Sequence, residues 1–127
     1  MAKILYVDGS KEAAATFKGL EEAGHEVIHC KSDVEADFAL IAGVFDLVIC
    51  GHILEGKITG LTYVDLLRGG GGLWRRRPLI FLARLPKIAH RFDFDKQKVD
   101  FFKVSSGLPL GADLLNAVTR ALARLGT

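Results

Sequence analysis

Asp8, Gly51, His52 and the run Trp74-Arg75-Arg76-Arg77 are the residues whose types and positions bear on chemistry. Asp8 follows the apolar run KILYV, and Gly51-His52 follows the apolar run LVIC within FDLVICGHILEG, Phe45 to Gly56. A carboxylate such as Asp8 can bind a cation, but Mg²⁺ usually wants more anionic ligands than one. Asp8 therefore reads first as a carboxylate capped by backbone amides. His52 has the chemistry of a phosphoryl acceptor, yet a histidine at the mouth of a crevice is more often a partly solvated polar residue. Cys30 and Cys50 lie inside apolar runs and read as core thiols, and no basic neighbour in the sequence lowers the pKa of Cys50. Arginine forks match phosphate oxygens, and guanidinium or indole planes stack on bases. The segment from Gly69 to Arg77, with its glycine run, one tryptophan and three arginines, is thus a candidate anion-binding loop. Charge runs are usually solvated, and that plainer reading outweighs the ligand reading here.

The elements that position these residues follow from periodicity. Lys3 to Val7 is an apolar strand, and Ser10 is placed to cap the helix after it. Ala13, Phe17 and Leu20 form a helical stripe that Gly24 ends. Glu26 to Cys30 reads as a second strand. Ser32 and Glu35 make a capping box, Val34, Phe38 and Ile41 mark the expected buried face of a second helix, and Gly43 ends it. Leu47 to Cys50 is a third strand, continuous enough to be buried on both faces. A short helix is expected over about Leu61 to Arg68. Pro78 starts a fourth strand, Leu79 to Leu82. Arg84 to Lys98 is the least regular stretch, with Phe92 and Phe94 alternating with aspartates. A short or partly unwound helix is expected there. Val99 to Val104 is a fifth strand, and Leu114, Leu115, Val118, Leu122 and Leu125 define the buried face of a last helix, Ala112 to Leu125.

Strands alternating with helices imply parallel βαβ units with right-handed crossovers. The expectation is a flavodoxin-like, doubly wound α/β fold: a five-stranded parallel sheet in the order 2-1-3-4-5 with helices on both faces. In that order Asp8-Gly9 and Gly51-His52 line one crevice. Cys30 and Cys50 fall on strands either side of the first, about twice the 4.8 Å strand spacing apart and beyond disulfide reach, so both thiols are expected to be free. The 127 residues suffice for one domain, 1–127, with a real core. Half the residues are apolar and the net charge is +2, which by itself does not argue for nucleic acid. No apolar stretch approaches a membrane span and no signal peptide opens the chain, so the cytoplasm is the expected location.

Taken in order, the chain resembles a receiver domain of bacterial response regulators, of the chemotaxis-regulator type. KILYVDGS is similar to the opening strand with its acidic pair, FDLVICGHILEG to the segment of the phosphoacceptor aspartate, RPLIFLA to the strand with the switch hydroxyl, and VDFFKV to the strand before the family's lysine. The resemblance implies an aspartate that attacks a phosphoryl donor while Mg²⁺, a lysine and a hydroxyl hold the charge. Matched residue by residue, the acidic pair becomes Asp8 and Gly9, the phosphoacceptor Gly51 and the switch hydroxyl Ala83. Lys103 falls one or two residues before the family's lysine, and a one-residue shift in a strand reverses the side chain's face. Nucleophile, second metal-binding acid and hydroxyl are missing together.

The pattern resembles the degenerate pseudo-receivers, which keep the fold as an interaction module. It implies no enzyme activity, no catalytic residue, no metal site and no cofactor. The degenerate pocket is Asp8, Gly9, Gly51, His52, Ala83 and Lys103. The leading function is a two-component signalling module that contacts a protein partner without phosphorylation, as a possible homodimer. Two alternatives stand beside it. One is binding of an anionic nucleotide or nucleic acid through Trp74, Arg75, Arg76 and Arg77, and the other is phosphoryl acceptance by a non-standard residue such as His52. No membrane partner is expected.

Overall fold

A computed structural model describes residues 2–70, 72, 74, 76–83, 100–103 and 112–123. The strands are β1 (Lys3–Val7), β2 (Glu26–Cys30), β3 (Leu47–Gly51), β4 (Leu79–Ala83) and β5 (Asp100–Lys103). The described helices are α1 (Ala13–Glu22), α2 (Asp33–Ala42), α3 (Gly60–Gly69) and α4 (Ala112–Ala123). The sheet runs β2-β1-β3-β4-β5, with every neighbouring pair parallel. The irregular stretch from Arg84 to Lys98, with Phe92 and Phe94, and Leu125 of the last helix lie outside the described residues. No described helix is long and apolar enough to cross a membrane.

The middle strands are apolar without a break because both of their faces are covered. Ile4, Tyr6, Leu47, Ile49, Ile80 and Leu82 face one layer, where Ala13 and Leu20 of α1 meet Leu114, Ala117, Val118 and Ala121 of α4. Leu5, Val7, Val48, Cys50, Leu79 and Phe81 face the other, built from Ala36 of α2 and Tyr63 and Val64 of α3. Side chains alternate between the two layers along each strand, as a pleat requires. Val7 is in register with Cys30 on one side and Cys50 on the other, so two strand spacings separate the thiols, and both are free.

Two local expectations are corrected. Ser10 does not cap α1: the N-cap position is Glu12, whose side chain makes no capping bond. The Asp8 carboxyl instead takes the Ser10 backbone N–H at 2.9 Å, an Asx turn that delays the helix to Ala13. Val34, Phe38 and Ile41 are not the buried face of α2. They are 58%, 70% and 82% exposed, and the buried residue is Ala36. Half of the capping box forms: Ser32 Oγ accepts from Glu35 N, while the Glu35 carboxylate reaches one residue past the N-cap to accept from Lys31 N. The rotation of α2 is set by its neighbours: the small Ala36 lets the helix settle on the sheet, and Asp37 accepts from the buried Tyr63 hydroxyl at 2.7 Å.

Two glycines have opposite standing. A Cβ on Gly60 would lie 1.6 Å from the Gly51 carbonyl oxygen, because the start of α3 rests directly on the end of β3. Gly19 sits inside α1 with open space around it. Gly60→Ala should therefore lower unfolding stability by about 3 kcal/mol or more through forced backbone movement. Gly19→Ala should raise it by about 0.5–1 kcal/mol by favouring the helix. Urea denaturation midpoints of the two variants check both signs.

Candidate functional site

The parallel register brings the C-terminal ends of β1 and β3 side by side, so Asp8-Gly9 and Gly51-His52 meet as expected. Asp8 is 1% exposed. Its backbone is anchored to β2, where its N–H donates to the Cys30 carbonyl at 2.9 Å and its own carbonyl pairs with His29 Nε2 at 2.8 Å. Its carboxyl accepts from the Tyr6 hydroxyl through Oδ2 and from Ser10 N through Oδ1. Tyr6 is fully buried and stacks on His29 with ring centroids 5.2 Å apart, and His29 stacks in turn on Phe17. Neither Tyr6 nor His29 stood out in the sequence. Tyr6 looks like one more apolar strand residue, and only the pleat, which puts residues 6 and 8 on the same side, links it to Asp8.

Gly51 is where the receiver resemblance puts the nucleophile. A Cβ there would lie 2.7 Å from Asp8 Cγ and 2.9 Å from each carboxyl oxygen. The Asp8 carboxyl thus fills the space into which a side chain at 51 would grow. Gly9, the second acidic position, is closed in the same way by backbone. A Cβ there would meet Glu55 N at 2.8 Å, Lys31 O at 3.0 Å and the Leu54 carbonyl carbon at 3.1 Å. The loop after β3 is bonded across the crevice, with Gly9 N donating to Ile53 O and Glu55 N to Lys31 O. An acid at Gly9 has no room, and Asp8 is already committed to Tyr6 and Ser10. These residues do not fit a Mg²⁺ site, and among the described residues no three His, Cys, Asp or Glu side chains converge on one point.

His52 lies beside this junction, its ring edge-on to Phe81. Its Nδ1 is buried with no hydrogen-bond partner among the described residues, as is Ser10 Oγ. Burial lowers the pKa of His52, which favours the neutral ring. Cys50 donates weakly to the Gly51 and Gly60 carbonyls. Burial, and then the nearby Asp8, push its thiol well above the ordinary range, so it is an inert core residue. Ala83 and Lys103 are in register as neighbours on β4 and β5, one row beyond the Gly51–Leu82 pair. Their side chains lie outside the described residues.

The arginine segment does not assemble with this crevice. Trp74 packs against the α2–α3 layer, and Arg77 donates to the Phe45 carbonyl at 2.9 Å. Arg76 is exposed, and Arg75 lies outside the described residues. The organising residue here is Arg68, which in the sequence stands out only as the end of a helix. It is 5% exposed and donates to the carbonyls of Trp74 and Arg77 at 2.7 and 2.6 Å, tying the segment to α3.

Two outcomes follow from this geometry. Gly51→Ala should destabilise by about 1–3 kcal/mol, because the new methyl must displace the Asp8 carboxyl. In an Asp8→Ala background the same change should cost at least about 0.5 kcal/mol less, and a double-mutant cycle measured by urea unfolding reads that coupling. The second outcome concerns pH. His52, and His25, whose pKa is lowered by burial and then by the N-terminal amino group, both resist protonation in the folded state. Below their unfolded pKa of about 6.5 the unfolded chain binds more protons, so the stability they contribute is complete above that pH and is lost as pH falls toward the folded values. His52→Phe should therefore flatten the loss of stability between about pH 7 and pH 5, seen in melting temperatures across that window.

Solved structures similar to this chain are response-regulator receivers. A two-component response regulator from Clostridium difficile is 23% identical with a TM-score of 0.72, over 98% of this chain and 97% of that one. Chemotaxis response regulator CheY4 of Vibrio cholerae is 22% identical with a TM-score of 0.74, over 95% and 98%. The receiver domain of Francisella response regulator 1452 is 20% identical with a TM-score of 0.75, over the full length of both chains. No family model and no curated protein sequence matches the chain. At these identities the likeness is one of architecture, and the chain has the fold of a response-regulator receiver domain.

Proposed function

We propose that this protein is a receiver-like module of two-component signal transduction that works in the cytoplasm through protein–protein contact and takes no phosphoryl group. The observation that carries this reading is the close approach of Asp8 to Gly51. A phosphoacceptor must present an accessible carboxylate to its donor. Here the acceptor position has no side chain, and the neighbouring carboxyl is buried, hydrogen-bonded to Tyr6 and Ser10 and seated in the acceptor's place. The metal that would neutralise developing charge has no second acid to hold it, because the loop backbone stands against Gly9. What remains is a rigid parallel sheet with its crevice packed shut, which suits a surface that binds rather than a pocket that reacts.

Incubation with a small acyl-phosphate donor and Mg²⁺ should leave the intact mass unchanged. Gly51→Asp should also remain unmodified, since nucleophile, second acid and hydroxyl act as a unit and restoring one of them restores little. A stoichiometric phosphoryl adduct on the wild-type protein, abolished by His52→Ala or Asp8→Ala, would overturn the proposal and establish a non-standard acceptor.

A further inference from the structure

The outer face of α2 is apolar. Val34, Phe38 and Ile41 recur at i, i+4 and i+7, so they form one line along the helix, and they are 58%, 70% and 82% exposed. Val44, just past the helix, is 68% exposed and continues the line. Scattered exposed leucines or valines need no explanation, whereas apolar side chains contiguous along one face form a patch, and the largest apolar patch on a protein is often functional. The line ends at a cleft of about 260 Å³ lined by Ile41, Val44, Phe45, Trp74 and Arg77.

Charge is distributed along this face with a direction. Asp33 and Glu35 occupy the first turn of α2. The opposite end carries cations: Arg77 lines the cleft, Arg76 is exposed beside it, and Lys3 Nζ lies 5.0 Å from the centre of the Phe45 ring. Counting Lys31 beside the acids and Asp46 beside Lys3, one end of the apolar line is net acidic and the other net basic, with Phe38 near the middle.

We infer that this face is a self-association surface whose occupant is α2 of a second copy of the chain, lying antiparallel across a two-fold axis at Phe38. A two-fold interface uses the same patch on both subunits, so the patch must be complementary to itself. Antiparallel pairing meets that condition twice. It sets Val34 against the partner's Ile41 with the two Phe38 rings at the axis, and it brings the acidic end of each helix to the basic end of the other. Parallel pairing would oppose acid to acid. A single helix face covers less than the roughly 800 Å² per partner of a standard interface, so the dimer is weak and concentration-dependent. The inference is independent of whether the crevice accepts a phosphoryl group.

Sedimentation velocity on the wild-type protein from about 10 µM to 1 mM should show a shift from monomer toward dimer with a dissociation constant on the order of 100 µM. Phe38→Glu should remain monomeric, with its fold verified by circular dichroism. Phe38→Cys should form a disulfide-linked dimer when diamide oxidises the two facing thiols, each losing one proton and one electron to the reagent. Leu66→Cys, exposed on α3 instead, should not. The native thiols are free and buried and do not interfere. A wild-type protein monomeric over the whole range would overturn the inference. So would equal cross-linking through positions 38 and 66, or a dimer untouched by Phe38→Glu.

Discussion

The close approach of the Asp8 carboxyl to the backbone of Gly51 is the contact on which the rest of the crevice depends. Parallel pairing places the two strand ends about 4.8 Å apart, so a side chain leaning across from one strand enters the space over the other. Because residue 51 brings none, Asp8 turns in and is completed by Tyr6 and Ser10. A buried carboxyl without donors would be costly, so the Tyr6 hydroxyl stabilises the arrangement. Its burial draws in His29, which stacks on Tyr6 and also holds the Asp8 carbonyl. The end of β1 is thereby tied to β2 and β3 together.

Glycines complete the closure on either side. Gly9 admits the backbone of the loop after β3, and Gly60 admits the Gly51 carbonyl at the start of α3. Each missing Cβ is used for backbone packing, and each contact removes space that a metal or phosphoryl group would need. The closed space at positions 9, 51 and 60 is therefore one packing arrangement. Refilling position 51 alone would meet Asp8, and refilling position 9 alone would meet the loop.

The other consequence of packing lies far from the crevice, in the rotation of α2. Asp37 faces α3 to meet the Tyr63 hydroxyl, and Ala36 faces the sheet. With those two directions taken, Val34, Phe38 and Ile41 can only point outward. An apolar line is left on the surface because a small residue and a polar one, rather than the bulky ones, make the helix's inner contacts.

Strand positions, the helices of the described residues and the meeting of Asp8-Gly9 with Gly51-His52 were all legible in the chain. Continuous apolar runs bounded by Asp8-Gly9 and Gly51-His52 have one economical arrangement as parallel strands, and a missing side chain is as visible in a sequence as a present one. Two kinds of fact were not legible. Periodicity finds a stripe on α2 but cannot say which stripe is inside when the helix is apolar most of the way round; depth of approach at Ala36 and a hydroxyl from a helix twenty-six residues away decided it. Composition shows that Gly51 and Gly9 lack side chains but not what takes their place. Only the tertiary structure puts the Asp8 carboxyl at one and loop backbone at the other, because both contacts join segments that neighbour each other in the sheet and not in the chain.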